Sequence, residues 1–350
     1  INYDANGENG ALLLEPSRQQ LIQFSEYFGA GYTLSNSAIL NNNTTSPEGF
    51  QNATKIYPTS SGNYRNIRYG SLSPSTGLHT YSIFAKAGEL NHIVLIDNDG
   101  GGVGINYNLS TGVATQSASV PFDNFDIIPY GNGWFRCIAT ATNPYFYWVL
   151  SDNGGISVTA NGTNGIYIYG FQAESNATYV SSYIPNHGTS GGVTRAADSC
   201  SVTGASDVFA TAKGTFFIDI NVNLFDANGL IPLTAGINTI NLFYLWLKTT
   251  GQVSAEWYTG GSLQGKIDSN SGLVSVGNRY KIAVAYQNND FVLYVNGVQI
   301  GTDISGSAPT PSELKIGQYF TADYTGGEIY QTTLFKERLT NAELATLTTL

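Results

Sequence analysis

Residues 170–198 read Gly170-Phe-Gln-Ala-Glu-Ser-Asn-Ala-Thr-Tyr-Val-Ser-Ser-Tyr-Ile-Pro-Asn-His-Gly-Thr-Ser-Gly-Gly-Val-Thr-Arg-Ala-Ala-Asp198. Tyr167, Tyr169 and Phe171 fall on alternate positions at its start, the period of a half-buried strand. Asn, Ser, Gly and Pro then break the chain at short intervals, as turns require, and no apolar spacing of three or four residues offers a helix. The same pattern extends upstream. Thr80–Lys86, Asn91–Ile96, Gly104–Asn108, Trp134–Thr140, Tyr145–Leu150 and Ile166–Glu174 alternate as strands. Asn98-Asp-Gly-Gly-Gly102, Tyr130-Gly-Asn-Gly133 and Asp152-Asn-Gly-Gly155 supply the positive φ that tight turns need. Asn36–Ser61 is rich in Asn, Thr and Ser and is expected to be an exposed loop with at most one short strand.

After Asp198 the pattern restarts. Gly214–Leu224, Asn241–Lys248, Val253–Tyr258 and Arg279–Gln287 read as strands, and Asn296-Gly297 inside Phe291–Ile300 is a hairpin signal. Leu314–Gly317 and Glu328–Glu337 follow. Leu339–Leu347 then reads as a short helix, with Thr340 as N-cap and Glu343 at capping-box spacing.

Composition agrees. The 350 residues hold 40 Gly, 23 Tyr and 17 Phe, only 11% are charged, and Met is absent. Such a chain suits β-sandwiches joined by short polar turns and suits long helices badly. With Ile1 first, the missing Met points to a processed chain or a fragment, and polar, acidic Ile1–Gly10 does not read as a signal peptide. A net charge of −10 without any Lys or Arg cluster argues against a nucleic-acid partner or an anionic membrane. No apolar run is long enough for a spanning helix. Cys137 and Cys200 each sit in a strand pattern and read as buried free thiols.

Two stretches carry family resemblances. Gly170-x-Gln-x-Glu174, Ser182-Tyr-Ile-Pro185 and Thr194-Arg-Ala-Ala-Asp198 resemble the closing segment of jelly-roll, carbohydrate-binding-module-like domains of bacteriophage tail and head-fibre proteins. Asn186 stands where that pattern has Thr. The likeness extends through Ala11–Arg18, Leu21 to Phe28 and Gly131-Asn-Gly-Trp-Phe-Arg136, covering most of residues 11–200. Leu293-Tyr-Val-Asn-Gly-Val-Gln-Ile-Gly301 resembles the paired central strands of concanavalin A-like (laminin-G-like) sandwiches. The resemblances imply an all-β chain of two tandem β-sandwich (jelly-roll) domains with one short C-terminal helix. A carbohydrate-binding-module-like domain would occupy 1–200 and a concanavalin A-like one 201–350, joined near 199–212.

Enzymatic signatures are missing. Retaining glycosidases of the concanavalin A-like fold need Glu-x-Asp-x-x-Glu, which sets two carboxylates in one cleft at working distance, and the chain has none. No His-Glu-x-x-His or Gly-x-Ser-x-Gly occurs, His92 alternates with Val94 and Ile96 as a strand residue, and His187 lies in a turn. Asp97 and Asp99 lead into the glycine run and could ligate a structural calcium ion, as Asp123 and Asp126 around Asn124 could. The favoured alternative is that these are turn-forming residues without a metal.

What remains is aromatic. Sugars stack C–H faces on Trp and Tyr rings while short polar side chains read their hydroxyls. Candidates are Tyr64, Arg65, Arg68 and Tyr69 in the first half, with Tyr145, Tyr147 and Trp148 near in pattern. In the second half they are Trp246, Trp257, Tyr258, Tyr319, Asp323 and Tyr324. Trp134 reads as core, and Trp148 and Trp246 lie in strongly apolar runs; Trp257 and Tyr258 sit beside a Thr-Gly-Gly-Ser hairpin tip. The expectation is a non-enzymatic virion surface protein (tail fibre, spike or head fibre) that binds host-surface glycans and contacts other virion proteins, with a homotrimer implied by resemblance alone. The alternatives are a secreted, extracellular carbohydrate-binding module pair of a polysaccharide-degrading system and a purely structural virion component.

Overall fold

The structure, a computed structural model, describes residues 10–350 apart from 71, 73–76, 98–103, 118–121, 143–145, 205–211, 224, 226–228, 237–239, 320–321 and 324–325. It is built almost wholly of antiparallel strands and divides into two compact units: Ser17–Ala196, and Ala197–Leu350 together with the described N-terminal residues 10–16. The N-terminal segment therefore does not join the first unit, where the sequence resemblance places it. Leu12 and Leu13 pair with Ile329 and Glu328, and Glu15 and Asp198 exchange hydrogen bonds through main chain and the Asp198 carboxylate. A two-residue strand paired across the whole chain leaves no periodic trace in the sequence.

In the Ser17–Ala196 unit one six-stranded sheet runs in the order Val113–Gln116, Gly104–Asn108, His92–Asp97, Phe146–Ser151, Asn66–Tyr69, Tyr32–Ser35. The second is built on Trp134–Ala141, His79–Lys86 and Ile166–Ser175. Between them lies a core of alternating residues, Ile93, Leu95, Tyr107 and Trp148 from one sheet and Tyr81, Ile83, Cys137 and Phe171 from the other. Residues 36–61 are not the loop expected. Ser37–Thr44 and Ala53–Pro58 are paired strands, the latter hydrogen-bonded to Ile166–Ser175. Thr54 and Lys55 stay polar yet buried because Asn41 receives the hydroxyl proton of Thr54 and Glu89 receives the Lys55 ammonium. Trp134 is core, as its motif implied, and its Nε1 donates to the Thr45 carbonyl in the connection between these strands.

The 170–198 motif is a buried polar network. Glu174, fully buried, accepts from the Ser181 main chain and hydroxyl, with the Arg18 guanidinium 3.9 Å away. Gln172 accepts from the Ile184 main chain, and Tyr183 donates to Ser25. Arg136 reaches the Ser181 carbonyl at 2.7 Å and the Ser82 hydroxyl. An irregular chain between strands has buried main-chain groups to satisfy, and these side chains satisfy them. That accounts for Gln172, Glu174 and Tyr183 in the motif without any ligand.

In the second unit one sheet orders Leu12–Leu13, Gly327–Phe335, Lys213–Val222, Asn278–Gln287, Asp290–Val295 and Val298–Asp303. The facing sheet orders Cys200–Thr203, Glu313–Ile316, Leu230–Ala235, Asn241–Leu247, Val253–Thr259 and Ser262–Asp268. Phe216, Ile218, Phe243, Leu245, Trp257 and Leu293 are among the residues packed between them. The Asn296-Gly297 turn takes positive φ at both residues, 48° and 81°, as a two-residue hairpin demands. The helix Asn341–Leu347 begins at Thr340 with the full capping box to Glu343 and lays Leu344 on Phe217, Ala283 and Val292, covering the outer face of the first sheet.

Candidate functional site

The facing sheet has an outer face too, and strand register fixes which residues share it. Thr234 pairs with both Lys315 and Tyr244, Tyr244 with Glu256, and Glu256 with Lys266, making one row across five strands. The neighbouring row is Trp246, Ser254 and Asp268. Side chains alternate across a strand. These residues therefore point away from the core that Phe243, Leu245, Ala255 and Trp257 fill.

The rows are tied together by charge. The buried Glu256 carboxylate accepts from the Tyr244 hydroxyl, from Tyr258 and Ser254 at 3.4 Å each, and lies 3.5 Å from the Lys266 ammonium. Lys266 also sits 2.9 Å from Asp268, which faces Lys248 at 3.6 Å. Lys248 donates to Gln252 and lies 5.1 Å from the centre of the half-exposed Trp246 ring. Half-buried Tyr319 packs edge-on against Tyr244 at 5.0 Å, with Tyr258 stacked beyond it.

Protonation is fixed as well. Burial alone would raise the Asp268 carboxyl, but the Ser254 hydrogen bond and the Lys266 and Lys248 ammonium groups outweigh it and bring it below the ordinary range. The hydrogen bond to Asp268 raises Lys266. Burial, then Glu256, raises Tyr244 far above the ordinary phenol value. At neutral pH the face holds ionised Asp268, charged Lys266 and neutral Tyr244. It offers stacking surface and fixed hydrogen-bonding groups, an arrangement suited to holding a ligand rather than moving a proton.

The candidates named from the sequence scatter. Trp257 is not a surface residue: it is fully buried, stacked on Phe291 at 4.0 Å, because its odd position relative to Glu256 turns it into the core. Tyr258 and Tyr319 both pack against Tyr244 on the outer face. Asp323 pairs through its main chain with Gln318, while its side chain and all of Tyr324 lie outside the described residues. In the other unit, Arg68 lies 5.4 Å from the Tyr147 ring centre on the outer face of its sheet. Arg65 instead turns back on its own loop, donating to the Ser60, Ser61 and Asn63 carbonyls and the Ser60 hydroxyl. Tyr64 is 39% exposed at φ 58°. Tyr69 packs on Tyr32 and accepts from the Gln23 amide, so its ring serves the fold. Tyr145 lies outside the described residues.

The Asp97 side chain and Asp99 lie outside the described residues too. Asp126 and Asn124 accept from the next main-chain amide of their own strand. Among the described residues no three His, Cys, Asp or Glu side chains gather as a metal site.

Residues 202–345 match the concanavalin A-like lectin/glucanases superfamily. The charged, aromatic face around Trp246 lies within this concanavalin A-like region. No curated protein sequence matches the chain. Among solved structures, the chain is similar to the CBM40 of Ruminococcus gnavus IT-sialidase bound to α2,3-sialyllactose, at 20% identity and TM-score 0.37 over 43% of this chain and 96% of that one. It is also similar to domain 4 of the Geobacillus stearothermophilus extracellular arabinanase AbnA in complex with arabinotriose, at 12% identity and TM-score 0.34 over 39% of this chain and 67% of that one. The carbohydrate-binding module CBM66 of Bacillus subtilis gives 12% identity and TM-score 0.28 over 39% and 77%.

Proposed function

We propose that the chain is a non-catalytic glycan-binding protein and that its concanavalin A-like unit binds sugar on the outer sheet face around Trp246. The observation that carries this reading is the half-exposed Trp246 ring beside Lys248, Asp268 and Lys266, backed by the Tyr244–Glu256–Tyr258 cluster. A sugar ring stacks its C–H face on the indole, and the carboxylate and ammonium groups, already held by one another, receive its hydroxyls. Single-site affinity for such a shallow face lies in the millimolar to micromolar range, roughly −4 to −8 kcal/mol, and several copies on one surface raise avidity without new contacts.

The place of action follows from the resemblance of residues 11–200 to phage fibre domains: a virion surface, with host-surface glycans as ligands, other virion proteins as neighbours and a homotrimer as assembly. A second reading, a secreted module serving a polysaccharide-degrading system, is favoured by the glucanase side of the matched superfamily. A structural calcium ion at Asp97 and Asp99 belongs to the same proposal and would act on loop geometry. The test is a glycan array and host-cell binding assay with the intact chain, Trp246→Ala and Lys266→Ala, with and without chelator. Saturable binding that weakens by about tenfold or more in either variant supports the reading. Binding that neither variant changes removes the face from it.

A further inference from the structure

The Ser17–Ala196 unit holds a cleft of about 410 Å³ on the outer face of its six-stranded sheet. Its floor is Val94 and Gly104, one wall is the loop Asn153–Ile156, and the other is Thr115, Gln116 and Ser117 at the end of strand Val113–Gln116. Asn106 stands between the walls. We propose that this cleft is a second binding site, for a neutral short oligosaccharide, separate in its residues from the face around Trp246.

Three observations carry the proposal. The cleft is preformed. Ser151 Oγ accepts from the main chain of Asn153 and Gly154, Asn153 Oδ1 accepts from Gly155, the Asp152 carboxylate accepts from Thr159, and the Ile156 carbonyl accepts from Tyr64. A loop held this way loses little freedom when a ligand arrives. At Gly154, φ is +92° and a Cβ would stand 2.6 Å from Asn106 Nδ2, so the loop main chain lies directly on the asparagine. At Gly104 a Cβ would meet the Leu95 carbonyl at 1.8 Å, so no side chain can rise from the floor there.

The lining also selects by chemistry. Among the described residues that line the cleft, none carries an ionisable side chain. Amides and hydroxyls both donate and accept, which is the complement of a sugar hydroxyl, and the partly exposed Ile156 side chain, packed on buried Val94, takes the C–H face. An anionic ligand would find no cation among the described lining residues, in a chain whose net charge is −10. Finally, the central amide is oriented. His92 Nδ1 sits 2.9 Å from Asn106 Oδ1, which turns Nδ2 toward Thr115 Oγ1 at 3.5 Å and the cleft. His92 is a positioning residue here.

The test uses the intact chain on an array of neutral hexose and N-acetylhexosamine oligosaccharides printed beside their sialylated and uronic-acid-containing counterparts. Gly155→Trp and Thr115→Trp obstruct the cleft from exposed positions on opposite walls, and circular dichroism confirms that each folds. Neutral-glycan binding that falls more than about tenfold in both variants supports the site. Undiminished neutral binding in both, or binding by the native chain confined to acidic glycans, overturns it. Neutral binding that falls in Trp246→Ala and in neither cleft variant overturns the cleft and leaves the Trp246 face standing. The opposite pattern supports the cleft and counts against that face as a neutral-glycan site.

Discussion

Trp257→Ala should damage the fold of the concanavalin A-like unit and not a sugar contact. The indole is fully buried, stacked on Phe291 with rings 4.0 Å apart and nearly parallel, and Gly265 lies directly against it. Emptying a core site of this size costs about 3–5 kcal/mol, which lowers the melting temperature of a unit this large by on the order of 10 °C. Trp257→Phe is expected to be far milder. It forfeits part of the ring packing but also removes a buried Nε1–H that has no partner among the described residues, a group whose burial costs about 1–3 kcal/mol. Gly265→Ala tests the geometry from the other side. The added Cβ would lie 2.3 Å from Trp257 Cζ2 and 2.5 Å from Asp303 Oδ2, an overpacking worth about 1–3 kcal/mol. Phenylalanine has no atom at that position, so Trp257→Phe should recover most of the Gly265→Ala loss, a coupling of about 1–2 kcal/mol in a double-mutant cycle. Two units need not unfold together, so the readout is hydrogen exchange at the amides of Val253–Thr259 rather than one global melt. A Trp257→Ala chain that keeps its exchange protection but loses glycan binding would refute the reasoning and return Trp257 to the surface.

Glu174→Ala should destabilise the Ser17–Ala196 unit by about 3 kcal/mol, because it strands the buried Ser181 donors and leaves Arg18 without its carboxylate; thermal melting measures it, and a change under about 0.5 kcal/mol would contradict the network. Stability against pH should be bounded on both sides: Asp268 and Glu343, depressed on folding, contribute above their unfolded values of about 4 and lose that contribution as pH falls through their lower folded values, whereas Lys266 and Tyr244, raised on folding, contribute fully below about pH 10 and lose it as pH rises toward their folded values. Denaturant unfolding of the second unit at stepped pH, with Asp268→Asn as comparison, checks the signs.

Alternation is legible where strands are long and one face is buried. The strand Val253–Thr259 carries Val253, Ala255 and Trp257 on one side and Ser254, Glu256 and Tyr258 on the other, and one charged residue in mid-strand is enough to name the side away from the sandwich core. Applied strictly, that parity removes Trp257 from the binding candidates and pairs Trp246 with Tyr244. The proximity of Trp257 to a glycine-rich hairpin tip points the other way and misleads. Arg68 against Arg65 is a similar case: alternation with Ile67 turns Arg68 outward, but the capture of Arg65 by its own loop depends on Tyr64 at positive φ, which no local preference announces. Asn36–Ser61 reads as a loop because its polar residues are satisfied by partners far along the chain, Lys55 by Glu89 and the Thr45 carbonyl by Trp134. Long-range satisfaction of this kind has no period.

The two faces have one physical logic. A β-sandwich buries one side of each sheet, and the other side must be covered, charged or used. In the concanavalin A-like unit the helix Asn341–Leu347 covers Phe217, Ala283 and Val292, so that outer face is closed by apolar contact. The opposite sheet carries Ile231, Leu242 and Tyr244 outward as well, yet there the aromatic cluster is bordered by Glu256, Lys266, Asp268 and Lys248. Those charges are spent largely on one another, which adds little stability at a partly exposed site. What mutual pairing does achieve is position: Lys248 is fixed against Trp246, and Tyr258 against Glu256. A ligand meeting such a face orders few side chains, and the affinity it gains comes from contacts rather than being lost to immobilising them. The cleft around Asn106 reaches the same preorganisation with no charge among its described lining residues, through hydroxyl, amide and Asp152 carboxylate caps on a glycine-rich loop. One site thus fixes its polar groups by ion pairs and the other mainly by neutral hydrogen bonds. A ligand bearing charge should therefore discriminate between them, and one bearing none should not be repelled by either.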